Sequence, residues 1–293
     1  MALLGGIEAG GTKFICAVGT DPDNLQAQTR IETTTPDETL GQVVDFFRKQ
    51  QKIEVIEAIG IGAFGPVGVN PGSEKFGWFL NTPKPGWQQV DFAGRMQREL
   101  GVKVGFDTDV NAAALAEHRW GNAQGLENFV YLTVGTGIGG GGMVAGKLIH
   151  GLLHPEMGHV LIPHDASADP FEGSCPFHKD CLEGLASGLA MEKRWGKKGI
   201  FLPPEHPAWA LEAQYLAMGL MNYILTLSPQ RIIMGGGVMA QKQLFPMVRA
   251  QVRERLNNYL DVPAIMRDID SYIVPPGLGD KAGLAGAFAL AEG

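Results

Sequence analysis

Hydrophobic positions along the chain fall into two kinds of stretch. Short apolar runs end in glycine, and longer segments carry apolar residues at helical spacing. Leu3 to Ile7 reads as a strand that ends at Gly10, Gly11 and Thr12, and a second apolar run, Lys13 to Val18, follows at once. Two strands joined by a tight glycine turn predict a hairpin. Pro36 and Asp37 open an amphipathic stretch with Leu40, Val43, Val44, Phe46 and Phe47 on one face. Ile53 to Ile61 and Val102 to Phe106 read as buried strands, each followed by a turn and a helical pattern, an alternation that predicts α/β architecture.

The second half starts again in the same way. Phe129 to Val134 is a strand, positions 135–142 form a turn in which six of eight residues are glycine, and Met143 to Ile149 is apolar again. Strand, glycine turn, strand thus occurs twice, as in a duplicated core. Residues 164–181 show no periodicity and read as an inserted loop. A long helical stretch spans about 206–227 and is broken by Ser228-Pro229. Ile232 to Met234 then leads as a strand into Gly235-Gly236-Gly237, and helical patterns follow at 241–258 and 280–291.

Composition narrows the function. With 293 residues, 45% hydrophobic and 19% charged, the chain has material for two modest domains. The net charge of -7 and the lack of basic runs argue against a nucleic-acid or anionic-membrane surface. The apolar start is too short for a signal peptide and no stretch is long enough to span a membrane, so the expected compartment is the cytoplasm. Three cysteines, an odd number, argue against a disulfide framework.

The glycine turns carry the first candidate chemistry. Gly10-Gly11-Thr12-Lys13 can lay backbone N–H groups against phosphate oxygens, with the Thr12 hydroxyl and the Lys13 charge beside them. A plain hairpin turn would look the same, and the spacing does not fit a P-loop. Gly135 to Gly142 and Gly235 to Gly237 are further turns of this kind, and three such turns facing one cleft would hold a nucleotide. Asp107-Thr108-Asp109 closes a strand and opens a small-residue helix. One carboxylate there can take the proton of an attacking hydroxyl, while either serves equally as a helix N-cap. His159, Cys175, His178 and Cys181 offer four nitrogen and sulfur ligands, a set suited to tetrahedral zinc, around the aperiodic loop. Free thiols and surface histidines are the alternative. Cys16, in a strand, reads as a buried apolar residue. His118, His150, His154, His164 and His206 read as surface or packing residues.

Six pieces together resemble a known family: Ile7 to Lys13, Asp107 to Asn111, Thr133 to Gly141, His154 to His159, Cys175 to Glu183, and Gly235 to Val238. In order and spacing the chain resembles, over essentially its whole length, the bacterial sugar kinases of the ROK family (repressor, open reading frame, kinase), most closely the fructokinase branch. The resemblance implies the actin-like ATPase (ribonuclease H-like) fold, with two α/β domains around a nucleotide cleft: 1–107 plus 279–293, and 108–278 with the zinc loop. It implies ATP:hexose 6-phosphotransferase activity with fructose as the first substrate, mannose and glucose being the alternatives. By the same resemblance Asp109 is the general base. Gly10, Gly11, Thr12, Lys13, Thr133, Gly135, Thr136, Gly137, Gly139 and Gly140 hold phosphates, and Gly235, Gly236 and Gly237 lie near the adenosine. Gly65, Asn81, Thr108, Asp109, Glu156, His159 and Glu183 line the sugar pocket, and His159, Cys175, His178 and Cys181 hold a structural Zn²⁺. His178 stands where relatives commonly have Cys. Glu8 replaces an Asp that helps organise hydrated Mg²⁺, and Thr108 replaces an Asn that contacts sugar, which points away from glucose-type recognition. The expected assembly is a homodimer. A sugar-responsive repressor of the same family, the competing reading, would carry a DNA-binding domain before the first phosphate motif, where this chain has no room for one.

Overall fold

In a computed structural model, which describes residues 2–293, ten strands and ten α-helices are distributed along the chain. They run β1 (Leu3–Ala9), β2 (Lys13–Asp21), β3 (Asn24–Glu32), α1 (Pro36–Gln51), β4 (Ile56–Ala63), α2 (Phe92–Leu100), β5 (Lys103–Thr108), α3 (Asp109–Trp120), β6 (Phe129–Val134), β7 (Ile138–Val144) and β8 (Lys147–Leu148). Then come α4 (Leu182–Ala186), α5 (Gly188–Trp195), α6 (Ala208–Leu227), β9 (Arg231–Gly235), α7 (Leu244–Leu256), α8 (Pro263–Met266), α9 (Ile269–Tyr272), β10 (Ile273–Val274) and α10 (Ala282–Glu292).

The strands form two five-stranded sheets of matching order, β3-β2-β1-β4-β5 and β10-β9-β6-β7-β8. In each, a glycine-turned antiparallel hairpin (β1–β2, β6–β7) is followed by a strand parallel to its first member (β4, β9). The duplication expected from the repeated strand–turn–strand pattern is therefore present in the strand order. Among the described residues, no helix is long and apolar enough to cross a membrane.

The first compact unit runs to Gln124 and adds Leu148–Pro155 and Gly277–Gly293. The second comprises Gly125–Lys147 and Glu156–Pro276. The first unit thus reaches past position 107, where the sequence reading set the boundary. It does so because α3 packs on α10: a Cβ on Gly286 would come within 2.1 Å of the Ala112 carbonyl oxygen. The same helix lies so close to its sheet that a Cβ on Gly60 would meet the Ala287 oxygen at 1.8 Å.

Local signals account for most elements. α1 begins where the Thr35 hydroxyl caps the Glu38 N–H and Pro36 sets the first turn, and it ends in basic Arg48 and Lys49, each favourable to the helix dipole. Its buried Leu40, Val43, Val44 and Phe47 join Phe14, Phe79, Trp87 and Phe92 in the first core. Trp87 lies 5.5 Å from Phe14 and 5.0 Å from Phe79, ring centre to ring centre. Burying such a ring is worth about 2–3 kcal/mol. β3 has no counterpart in the sequence reading. It is an edge strand exposed on one face, Asn24 to Glu32, with only Ile31 buried.

Candidate active site

Register sets the geometry in the first unit. β1, β4 and β5 run parallel, Ala9 pairs with Ala63, and Ala63 pairs with Thr108. The three strands therefore end level, and Gly10, Phe64 and Asp109 leave the same carboxyl edge side by side. At about 4.8 Å per strand, the first glycine turn and Asp109 are roughly 10 Å apart. The carboxyl edge of parallel strands is where α/β sheets bind ligands.

The turn after β1 is tightly braced. Gly10 N donates to Lys13 O at 3.0 Å, and Thr33 Oγ1 donates to Gly10 O at 2.8 Å. Lys84 Nζ donates to Gly11 O at 2.7 Å. A Cβ on Gly11 would meet nothing within 4 Å, so the protein itself does not require glycine there. Thr12 and Lys13 are exposed at the tip. Glu8, one strand residue earlier, is largely buried, and burial raises its carboxyl above the usual range while Lys13 partly offsets the shift. A Cβ on Gly283 would lie 2.7 Å from Glu8 Oε1, so the longer side chain fits against α10 only because Gly283 is there.

The β5–α3 junction separates the two aspartates. Asp107 is 2% exposed and Asp109 is half-buried. Asp107 Oδ1 accepts from Thr108 N at 2.7 Å and from Asn111 Nδ2 at 2.9 Å, and its Oδ2 lies 2.8 Å from His150 Nε2. Asp107 is thus bound into the junction on both oxygens. Neither aspartate is the helix cap. That position belongs to Thr108, whose hydroxyl oxygen accepts from Asn111 N at 3.0 Å. Asp109 starts α3 with Oδ1 accepting from Val110 N at 2.9 Å. Gly65 and Asn81 lie on neighbouring segments, tied by the Val67–Phe79 bridge and by Leu80 N donating to Pro66 O at 2.8 Å.

In the second unit the turn after β6 is shorter than its composition suggests. Only Gly135-Thr136-Gly137 turns, and β7 already runs from Ile138, so Gly139 and Gly140 are strand residues paired with Thr133 and Leu132. Close packing, not turning, demands glycine at 140, where a Cβ would fall 2.6 Å from Leu132 and 2.7 Å from Met157. At Gly135 a Cβ would meet nothing within 4 Å. The turn is held from α4 and α5: Glu183 Oε2 accepts from Ile138 N at 2.9 Å, and Gly188 N donates to Gly135 O at 2.7 Å. β9 ends level with β6, since Thr133 pairs with Gly235. Gly236, at φ +91°, folds against Val134, and Val238 N donates to Val134 O at 2.9 Å. The two glycine segments of this unit therefore lie side by side.

His159, Cys175, His178 and Cys181 come together, their ligand atoms all within 4.8 Å of one another. His159 Nδ1 lies 3.7 Å from Cys175 Sγ and 3.6 Å from Cys181 Sγ, and His178 Nδ1 lies 3.7 Å from Cys175 Sγ. Four ligands bound at 2.0–2.3 Å to a tetrahedral zinc ion sit about 3.4–3.8 Å apart, which these spacings match. The other ring nitrogen of His159, Nε2, is 3.9 Å from Glu156 Oε2. Burial, and then the Glu183 charge, push the Glu156 carboxyl up to about 7. The inserted loop has a second anchor in Asp169, which accepts from Tyr215 Oη at 2.7 Å and from Arg194 Nε at 3.2 Å.

Three polar side chains of this site escaped the sequence reading. His150, taken there as a surface or packing residue, meets Asp107; His154, read the same way, meets the backbone of Val67; and Lys84 reaches the first glycine turn. In sequence, His154 opens the His154 to His159 piece two residues before Glu156, and His150 is marked only by its spacing, His150-x3-His154.

Two sheets of this order with glycine turns at their carboxyl edges define an actin-like ATPase fold. The chain belongs to the ROK family, whose profile matches residues 4–293. It is 46% identical over 294 residues to a fructokinase of Zymomonas mobilis, covering 99% of this chain and 96% of that protein. A fructokinase of Pediococcus pentosaceus is 43% identical over 290 residues, covering 99% and 98%. Among solved structures, the ROK hexokinase of Thermus thermophilus superposes with a TM-score of 0.77 at 26% identity, covering 99% of this chain and 98% of that one.

Proposed function

We propose that the chain transfers the γ-phosphoryl group of ATP to the 6-hydroxyl of a hexose, with fructose the preferred acceptor. The observation that carries this reading is the level ending of β1, β4 and β5, which delivers a phosphate-type turn, a sugar-type loop and a carboxylate to one sheet edge. Phosphoryl transfer asks the protein for positioning and charge stabilisation more than for covalent chemistry.

Asp109 accepts the proton of the attacking hydroxyl. Asp107 does not, because three donors already engage its two oxygens. Gly10, Gly11, Thr12 and Lys13 receive phosphate oxygens, as do Thr133, Gly135, Thr136 and Gly137. Gly139 and Gly140 act through the strand that follows the turn, and Gly235, Gly236 and Gly237 face the adenosine. Gly65, Asn81, Thr108, Glu156, His159 and Glu183 bind sugar hydroxyls. The Thr108 capping bond uses its oxygen as acceptor, so its hydroxyl proton still donates.

A hydrated Mg²⁺ suits Glu8, a hard oxygen ligand whose burial leaves its charge in need of a cation. When bound it neutralises charge developing on the phosphate oxygens. A structural Zn²⁺ suits the His159, Cys175, His178 and Cys181 set, which leaves no open position for catalysis. Its part is to fix the loop, and His159, ligating through Nδ1, keeps Nε2 for Glu156 and the sugar.

The two fructokinase relatives, at 43% and 46% identity over nearly full length, support fructose over mannose and glucose. The test is an equimolar mixture of fructose, mannose and glucose with limiting Mg·ATP, the products separated by NMR. Fructose 6-phosphate is the expected main product. Glucose 6-phosphate alone overturns the substrate, and no sugar phosphate overturns the kinase.

A further inference from the structure

Neither His150 nor His154 enters the scheme above, yet both reach its sugar-binding edge. They lie on residues 148–155, the segment that leads from β8 to Glu156 and belongs to the first unit. His150 Nε2 is 2.8 Å from Asp107 Oδ2 and 3.3 Å from Asn111 Nδ2. Since Thr108 N and Asn111 Nδ2 occupy the other Asp107 oxygen, the imidazole completes the shell of a buried carboxylate. His154, 7% exposed, accepts at Nε2 from Val67 N at 3.1 Å. A ring that accepts at Nε2 carries its proton on Nδ1, which lies 3.2 Å from Pro155 O and donates to it, so His154 is neutral.

The surroundings shift the two rings in opposite directions. The Asp107 hydrogen bond raises the pKa of His150 above its ordinary value. Burial lowers that of His154. The titratable and polar groups facing His150 are Asp107, Asn111 and His154, and those facing His154 are Asp107, His150 and the backbone of Val67 and Pro155.

We propose that His150 and His154 are positioning residues that clasp 148–155 to the base-bearing β5–α3 junction on one side and to the Gly65–Val67 loop on the other, and that the clasp sets hexose affinity. The inference rests on the sugar assignment given under Proposed function. It follows from what each ring holds. His150 fixes the carboxylate that orients the Thr108 backbone, and His154 fixes the segment paired with Phe79, two residues before Asn81.

Fructose binding to the intact protein, measured by calorimetry from pH 5 to 9, tests the clasp, with fructose and ATP KM determined alongside. The wild-type protein should bind fructose better at pH 7.5 than at pH 5. Affinity should weaken in acid, as His154 takes a proton on Nε2 and can no longer accept from Val67 N. His154→Leu and His150→Leu should each weaken fructose binding about tenfold, the usual consequence of stripping one partner from a buried polar group. The ATP KM should stay within about twofold. His154→Gln keeps an acceptor within reach of Val67 N and does not titrate. It should bind fructose within about threefold of wild type at pH 7.5. Unchanged fructose affinity in both leucine variants, equal weakening of fructose and ATP, or a His154→Gln variant that binds fructose as weakly as His154→Leu overturns the clasp. Wild-type protein that binds no hexose overturns the sugar assignment and the clasp's role with it.

Discussion

The turns after β1 and β6 occupy equivalent places in sheets of matching order, yet they are built differently. The first carries its own chemistry in Thr12 and Lys13 and is braced by side chains that reach its carbonyls, Thr33 to Gly10 and Lys84 to Gly11. The second has no charge of its own. It is braced by Glu183, which takes the Ile138 N–H, and by Gly188, whose N–H meets Gly135 O. Glu183 follows Cys181 by two residues, so the second turn is connected to the loop that carries the Cys/His cluster, and Glu183 is also proposed for the sugar. The same turn geometry can thus serve one ligand in one unit and register two in the other. On the proposed assignments, the base and the charged phosphate turn fall in the first unit, and Glu183 would couple turn to sugar in the second.

The largest effect should come from the first unit. Asp109→Asn keeps the shape and removes the proton acceptor, so kcat should fall about 10²–10⁴-fold, the usual worth of general-base catalysis, with fructose binding nearly unchanged. Asp107→Asn should cost less in kcat and more in fructose affinity and thermal stability, because it disturbs three hydrogen bonds. The reverse ranking would exchange the two aspartates. Next in size is removal of the metal. Cys181→Ser should abolish one zinc per chain, read by elemental analysis, and raise the fructose KM about tenfold or more, with a smaller change for ATP. Fully active zinc-free protein would overturn the proposed metal site.

Glu183→Gln separates the two turns most sharply. It weakens the bond to Ile138 N and the contact with sugar together, so the KM for fructose and for ATP should both rise, by about five- to tenfold. A rise for fructose alone would break the coupling. The smallest effect should be that of Lys84→Met, which removes a half-buried brace from the first turn. The ATP KM should rise about two- to fourfold while the fructose KM holds, since single partly exposed charged contacts are worth under about 1 kcal/mol.

Much of this was legible in the sequence because local pattern determines it. Glycine turns after apolar runs, the Asp107-Thr108-Asp109 junction and the Cys175-x2-His178-x2-Cys181 spacing are short-range features. Composition misled at 139–142, where glycine reads as turn and is in fact strand, because Leu132 and Met157 leave no room for a side chain at 140. The cap was expected from an aspartate and is Thr108, since nothing local says which of three adjacent polar residues has the extended backbone a cap needs. β3 lacked a signal because an edge strand exposed on one face keeps few apolar residues. The two clasp histidines were illegible for a different reason. Their partners lie 43 and 87 residues away, and only the folded chain brings them together.

The most direct test of the central claim is ADP release by the wild-type protein with Mg·ATP, measured with and without fructose. The account predicts release that depends on fructose, with one fructose 6-phosphate formed per ADP, and little ATP hydrolysis in its absence. Folded protein that releases ADP at the same rate whether or not a hexose is present would contradict it.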